Sequence, residues 1–391
     1  MKLRMCCPVC DATGKEKKVF MRDFSLSAEI VPFLRYDVCE CSQCGMVYAG
    51  NMEESMPLLE YYKKISHYEN DSFVMSETNR QLYKREVEFV SKYIPKTAKV
   101  LDIGCAFGGL LKEMKEQGFC SLTGLEPSKK NCQYAKASFG ITAHYGGIGN
   151  IPVEVQKQKF DLIILSVVFE HILPIKQVIQ ECSNLLGENG MIYIIVPDME
   201  QFHQHDDLYQ EFSAEHINYF DISSLQTLFS QFGMDLIASH QDFQPIFGIA
   251  GCCYTLWRRN ATVSDTMRVY KRKHNGLYEY IKHCKILEER IKKRMETFDL
   301  SHGIYIWGAG TQTAILFQLG IITQEQVLGV IDSNKNFQGR TAYGHEIQSP
   351  EVLREYPEAT ILISSQYAQE EIAKVITEQM HLSNPMIKVF P

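Results

Sequence analysis

The sequence predicts an α/β protein in which two doubly wound, parallel-sheet domains follow a small cysteine-rich module. Three observations carry that prediction. Two CxxC pairs open the chain, the run KVLDIGCAFGGLLKEM passes from an apolar strand through a glycine turn into a helix, and GIYIWGAGTQTAILFQLG repeats strand, turn and helix near the other end. With 391 residues the chain exceeds a single core, because domains hold roughly 100 to 200 residues each. Four segments are expected: a cysteine module over 1–55, a doubly wound core over 56–258, a helical connector over 259–300 and a smaller α/β domain over 301–391.

Composition narrows the function classes. The chain is 45% hydrophobic and 22% charged, as ordinary globular proteins are. Its net charge of −7 disfavours a nucleic-acid partner, which needs clustered Lys and Arg to displace counterions, so a small-molecule substrate is expected. MKLRMCCPVC offers no apolar stretch for a signal peptide. The longest apolar run, in FDLIILSVVF, falls well short of the roughly 20 residues that span a membrane. A cytoplasmic protein without a membrane partner is expected, and its 13 cysteines are then thiols or metal ligands rather than disulfides.

Cys7-Pro8-Val9-Cys10 and Cys41-Ser42-Gln43-Cys44 are read as those ligands. Each CxxC turn lets two thiolates face one ion, and two turns complete a closed tetrahedral site for structural Zn2+. Cys6 and Cys39 lie beside them as alternative donors, but the CxxC spacing at both ends favours the first four.

In the core, a helix is expected from Glu77 to Ile94, ahead of the strand KVLDIG that carries Asp102. Gly104 and Gly108 in the turn let the backbone approach a bound cofactor, and the following helix presents free N–H groups to its carboxylate. A second strand, SLTGLEPS, ends in Glu126, placed to accept both hydroxyls of a ribose. The turn reads GxxxGG rather than GxGxxG, the strand FDLIILSVVFEHI carries Ser166 at its end, and NLLGENGMIYIIVPD supplies a further helix, turn and strand. These motifs resemble Rossmann-like class I methyltransferases. The resemblance implies S-adenosyl-L-methionine (SAM) as cofactor, with Asp102, Gly104, Gly108, Glu126 and Ser166 around it.

The tripartite layout further resembles the sugar C-methyltransferases that act on nucleotide-linked keto-deoxysugars. That resemblance implies catalytic roles for His171 in VVFEHI, for Glu215 and His216 in SAEHINYF, and for Tyr68 in SHYENDS. Methylating carbon requires removing a proton beside a ketone and holding charge on the enolate oxygen, and a histidine with an ordinary pKa of about 6.5 suits the first task. His216 is the expected base, His171 or Tyr68 the donor to the enolate oxygen, and Glu215 a group that orients a partner or a sugar hydroxyl. Neighbours on a strand face opposite sides, so Glu215 and His216 share a site only if the backbone turns there. Ser213 stands where the family commonly carries a tyrosine.

Other readings stay open beside these. The same histidines can serve O- or N-methylation of a sugar or another small metabolite, and a non-catalytic SAM-binding scaffold is an alternative of another class. His171 can merely cap or pack, and Tyr68 can be packing like Tyr61 and Tyr62. His203, His205, Asp206 and Asp207 are read as a polar lid rather than a metal cluster. The connector is expected to be a helix with one solvated face. In the last domain, the GAGTQT turn and Asp332 repeat a nucleotide-binding half-fold; the resemblance implies that this domain helps hold the nucleotide-sugar, with Gln312 where a lysine is usual.

Overall fold

The computed structural model describes residues 2–64, 75–242, 251–260 and 266–390. The chain begins as an antiparallel sheet of β1 (Lys2–Leu3), β2 (Glu16–Asp23), β3 (Phe33–Cys41) and β4 (Val47–Glu54), ordered β1-β4-β3-β2, and continues into α1 (Leu58–Lys64). The core follows as α2 (Glu77–Val90), β5 (Lys99–Ile103), α3 (Gly109–Glu116), β6 (Ser121–Glu126), α4 (Lys129–Phe139), β7 (Thr142–Tyr145), α5 (Val153–Gln156), β8 (Phe160–Ser166), α6 (Ile175–Leu185) and β9 (Leu186–Pro197). After β10 (Asn218–Tyr219) and α7 (Ile222–Ser230), the hairpin strands β11 (Met234–Asp242) and β12 (Cys252–Arg259) complete a seven-stranded sheet ordered β11-β12-β9-β8-β5-β6-β7. β5 to β9 run parallel, while β12 is antiparallel to β9 and β11 to β12. The strand order reverses at β5, and ligands bind such sheets beyond the carboxyl ends of the strands at that switch point. β8 and β9 are buried on both faces by flanking helices, so they read as continuous apolar runs rather than alternating ones.

A long helix, α8 (Gly276–Met295), leads to the last domain: β13 (Ile304–Trp307), α9 (Thr311–Gln318), β14 (Val327–Ile331), β15 (Thr341–Ala342), β16 (His345–Gln348), β17 (Thr360–Ile363), α10 (Gln369–Lys374) and β18 (Met386–Lys388). Its sheet, ordered β15-β16-β14-β13-β17-β18, is parallel apart from β15. On α8, Leu277, Tyr280, Ile281, Cys284, Leu287, Ile291 and Met295 are buried, the stripe expected of a helix with one solvated face.

The segments are not beads on a string. One buried cluster runs from Phe24 and Tyr36 through Phe202, Phe212 and Tyr280 to Ile306 and Ile315, so the first sheet, α8 and the last domain share a core. Polar contacts pin the same junctions. Gln318 on α9 donates to the Met21 carbonyl at 2.7 Å and accepts from the Asp23 amide at 3.0 Å. Arg272 pairs with Asp221 and with Glu40 at 3.1 Å each and donates to the Gly45 carbonyl. The expected polar lid at 203–207 is corrected here: His205 and Asp207 are buried, because the segment is packed beneath α8, where Tyr280 Oη donates to Asp207 Oδ1 at 2.5 Å.

β10 joins two of these units. It pairs antiparallel with β4, Asn218 opposite Tyr48 and Tyr219 opposite Val47, so a core segment becomes a strand of the cysteine module's sheet. The Asn218 amide nitrogen lies 3.1, 3.3 and 2.9 Å from the carbonyls of Phe169, Glu170 and Ile172. Stranding buried carbonyls costs about 1 to 3 kcal/mol. Asn218→Ala should therefore lower unfolding free energy by about that much in urea titrations; an unchanged midpoint would mean that the amide does not brace the 169–172 turn.

Candidate functional site

The turn after β5 depends on glycine for its backbone and for the close approach of Val168. Gly104 has φ +77°, and a Cβ there would meet Val168 Cγ2 at 2.7 Å; Gly108, at φ +80°, caps α3. Two non-glycine residues also take left-handed backbone at this crevice, Ala106 at φ +45° after β5 and Val167 at φ +53° after β8. Such conformations are unfavourable, most of all for a β-branched residue, and cluster at functional sites. Glu126, at the end of β6, accepts from the Ala106 amide (2.9 Å) and the Ser128 amide (2.9 Å), which fixes its carboxylate across the turn.

Asp102 is buried beneath that turn, and burial, reinforced by the charge of Glu126, pushes its pKa up to about 7. Ser166 Oγ donates to Glu86 Oε2 at 3.1 Å. Glu86, from α2, is itself buried, and that burial holds its carboxyl well above the usual range. The sequence reading missed Glu86. A signal existed, since its spacing of four from Leu82 and from Val90 sets a carboxylate on the buried face of α2.

Three of the expected catalytic residues, His171, Glu215 and His216, lie together. Ser213 Oγ accepts from the Glu215 amide (3.3 Å) and the His216 amide (3.0 Å), turning the backbone so that both residues belong to one site. The His171 and His216 rings meet edge to face with centroids 4.9 Å apart. His171 Nδ1 lies 3.2 Å from the Glu215 carbonyl oxygen. A carbonyl only accepts, so Nδ1 carries the proton and Nε2 of the neutral ring keeps a lone pair. Tyr61 Oη donates to Glu215 Oε1 at 2.6 Å, and the Tyr62 ring stands edge-on to His171. Tyr68 lies outside the described residues, and the tyrosines seen beside the site are Tyr61 and Tyr62, which the sequence suggested as packing.

Glu170 is the second residue missed. It is buried, neither carboxyl oxygen has a hydrogen-bond partner among the described residues, and Oε1 lies 3.7 Å from His171 Nε2. Burial pushes it up to about 8, so it holds a proton at neutral pH. Its signal was an acid in the apolar context VVFEHI. Burial acts oppositely on His216, lowering it to about 4, so the imidazole is neutral at physiological pH and holds a proton less well than an ordinary histidine.

The four CxxC sulfurs also converge. Cys7 Sγ lies 3.5 Å from Cys44 Sγ and Cys10 Sγ 3.5 Å from Cys41 Sγ, with all four within 4.8 Å of one another. Zn–S bonds of about 2.3 Å in a tetrahedron set sulfurs roughly 3.8 Å apart, so the donor set fits one zinc ion. Cys39 is buried against Gly50 and is not one of the four. In the last domain, Asp332 accepts from the Ala309 and Asn334 amides, and Gln312 exchanges hydrogen bonds with Gln366, which occupies the amide that stands near the glycine turn.

The burial of His216 gives a direct test. Its folded pKa is depressed below the unfolded value of about 6.5, so the unfolded chain binds the extra proton first and stability falls as pH drops from 6.5 toward 4. NMR titration of labelled histidines should find one ring, lost in His216→Ala, that stays neutral to about pH 4; a midpoint near 6.5 for that ring would contradict its burial.

Residues 75–239 match the family model described as a methyltransferase domain, and residues 300–387 match one described as C2185-like, N-terminal. Curated relatives include ubiquinone biosynthesis O-methyltransferases of Pelagibacter ubique, 36% identical over 102 residues, and of Rhizobium etli, 31% identical over 100 residues. Each match covers 25% of this chain, and the chain spans only 42% and 40% of those relatives' length. Among solved structures, magnesium protoporphyrin IX methyltransferase from Synechocystis is 13% identical with a TM-score of 0.39, covering 49% of this chain and 91% of that one. The Burkholderia thailandensis 1,6-didemethyltoxoflavin-N1-methyltransferase is 15% identical with a TM-score of 0.37, covering 47% and 80%. Residues 75–239 match a methyltransferase domain, and the seven-stranded sheet they contribute to has the strand order of the Rossmann-like class I fold.

Proposed function

We propose that this chain is a SAM-dependent methyltransferase that methylates a carbon beside the ketone of a nucleotide-linked keto-deoxysugar, with Cys7, Cys10, Cys41 and Cys44 holding a structural zinc. One observation carries the reading: a buried, neutral His216 stands edge to face with His171, three residues after the Val168 side chain that packs on Gly104. Asp102, Gly104, Gly108, Glu126 and Ser166 would hold SAM, which when bound supplies an electrophilic methyl group.

His216 takes the proton from the substrate carbon, and the C–H electron pair moves onto the ketone oxygen. His171 is turned toward that oxygen in this reading, with Nδ1–H committed to the Glu215 carbonyl. Glu170, which keeps its proton and whose Oε1 lies 3.7 Å from His171 Nε2, is a candidate donor to the enolate oxygen. Glu215, oriented by Tyr61, accepts from a sugar hydroxyl, and Tyr68 remains a further candidate donor. The last domain, packed on the first sheet, closes over the nucleotide. O-methylation is the second reading, and the naming of the curated relatives as O-methyltransferases favours it.

The two chemistries separate in one experiment. With S-adenosylhomocysteine in place of SAM, the protein should exchange the hydrogen beside the ketone for solvent deuterium, and His216→Ala should lose that exchange by roughly 10²- to 10⁴-fold, the contribution of a positioned base. In parallel calorimetry, Glu126→Ala should weaken SAM binding and Gly104→Val should abolish it. A methoxy signal in the product with no carbon-bound exchange would replace C- with O-methylation; unchanged SAM affinity in both variants would refute the assigned cofactor pocket.

A further inference from the structure

A second set of donors lies in the segment that the sequence suggested as a lid. His205, Asp207 and Glu211 are all buried, with side-chain exposures of 4%, 0% and 0%, and one ligand atom from each lies within 4.8 Å of the others. His205 Nδ1 stands 3.6 Å from Asp207 Oδ2 and 3.7 Å from Glu211 Oε1. Those separations exceed hydrogen bonds, whose N···O distances run about 2.7 to 3.2 Å. The Asp207 separation reaches the upper edge of a tetrahedron around one ion, about 3.3 to 3.6 Å for bonds of 2.0 to 2.2 Å, and the Glu211 separation lies just beyond it. An imidazole and two carboxylates therefore converge at the spacing an ion sets rather than the spacing they would set with one another.

The surroundings hold that arrangement. Asp207 Oδ1 accepts from Tyr280 Oη at 2.5 Å and from the Gln210 amide at 2.9 Å, which turns Oδ2 toward His205. The same Tyr280 oxygen accepts from the Glu211 amide at 3.1 Å, so one hydroxyl from α8 fixes both acids. Tyr209, between them, takes left-handed backbone at φ +55°. A non-glycine residue uncommonly adopts that conformation, and here it folds the four-residue step from Asp207 to Glu211 back onto His205.

We infer that His205, Asp207 and Glu211 form a second metal site, for a divalent first-row cation of the zinc and manganese type, separate from the four-cysteine group. One imidazole and two carboxylates suit such ions. An ion there would sit between the two buried carboxylates, and Tyr280 would supply outer hydrogen bonds of the kind that orient metal ligands. The site lies on the connection that leads to Glu215 and His216, and Tyr367 Oη of the last domain reaches Asp207 Oδ2 at 3.4 Å, so an ion here would tie the last domain to the segment carrying the proposed base.

Manganese reads this site without the thiolates, because it prefers oxygen and nitrogen donors. Zinc-loaded full-length protein, freed of loose metal by gel filtration, would be titrated with Mn2+ while electron paramagnetic resonance reports the free ion; metal analysis after zinc saturation would count total zinc. The wild type should take up one Mn2+ per chain, or hold two zinc ions instead of one. Glu211→Gln and His205→Ala should weaken this ion at least tenfold with an unchanged circular dichroism spectrum, and Tyr280→Phe, which removes no ligand, by about 10- to 100-fold. A wild type that binds neither Mn2+ nor a second zinc would overturn the inference whatever the variants do. So would a second ion whose affinity is the same in Tyr280→Phe, Glu211→Gln and His205→Ala.

Discussion

The site depends on the pairing of two residues, Asn218 and Tyr219, with a strand that belongs to the other end of the molecule. β10 docks on β4, and the Ile217 carbonyl just before it accepts both from the Ala49 amide at 2.9 Å and from Arg4 Nη1 at 2.7 Å. The second arm of Arg4 donates to the carbonyls of Ile172 (3.2 Å) and Leu173 (3.0 Å), beside the Asn218 amide that faces the same turn. The Ile217 amide in turn donates to the Glu170 carbonyl at 3.0 Å. His171 and His216 come from segments 45 residues apart in sequence, and this web of buried hydrogen bonds clamps them together. Each bond contributes little net stability, about 1 kcal/mol, but leaving any one buried partner unmade costs more, so the arrangement is specific even though it is small.

Burial then sets the electrostatics. Removing the crevice from water disfavours every charged form, so the same desolvation lowers His216 and raises Glu170, Glu86 and Asp102. A base is left neutral and an acid left protonated within one small volume. That is how a carboxyl and an imidazole, with ordinary pKa values of about 4.3 and 6.5, reverse their order, and it needs no added charged partner. The cysteine module contributes to this chemistry only through geometry, by supplying β4 and Arg4.

What the sequence made legible was local. Glycine turns and the CxxC pairs are short patterns whose meaning is complete within a few residues, and the strand-turn-helix runs that carry Asp102, Glu126 and Asp332 declared the two parallel sheets. His171, Glu215 and His216 were reached through resemblance, and the question of how Glu215 and His216 share a site was answered by Ser213, a short hydroxyl that caps the turn. Glu86 and Glu170 were not found, because an acid declares itself only once its burial is known. Arg4 and Asn218 were harder still. Arg4 acts on a carbonyl 213 residues away and Asn218 on one 49 residues away, separations at which no periodicity survives. The segment at 203–207 was misread because its polar composition suits a loop, whereas packing under α8 buries His205 and Asp207 within it.

If the first sheet holds the proposed base in place, disturbing the cysteine group should be felt at β10. Hydrogen exchange of the full-length protein read by mass spectrometry, before and after a chelator strips metal from the thiolates, measures this directly. The account predicts that amides of residues 217–219 lose protection together with those of residues 33–54, while β5 and β6 keep theirs. Deprotection confined to residues 1–54, with 217–219 still protected, would contradict the claim that the site is assembled on that sheet.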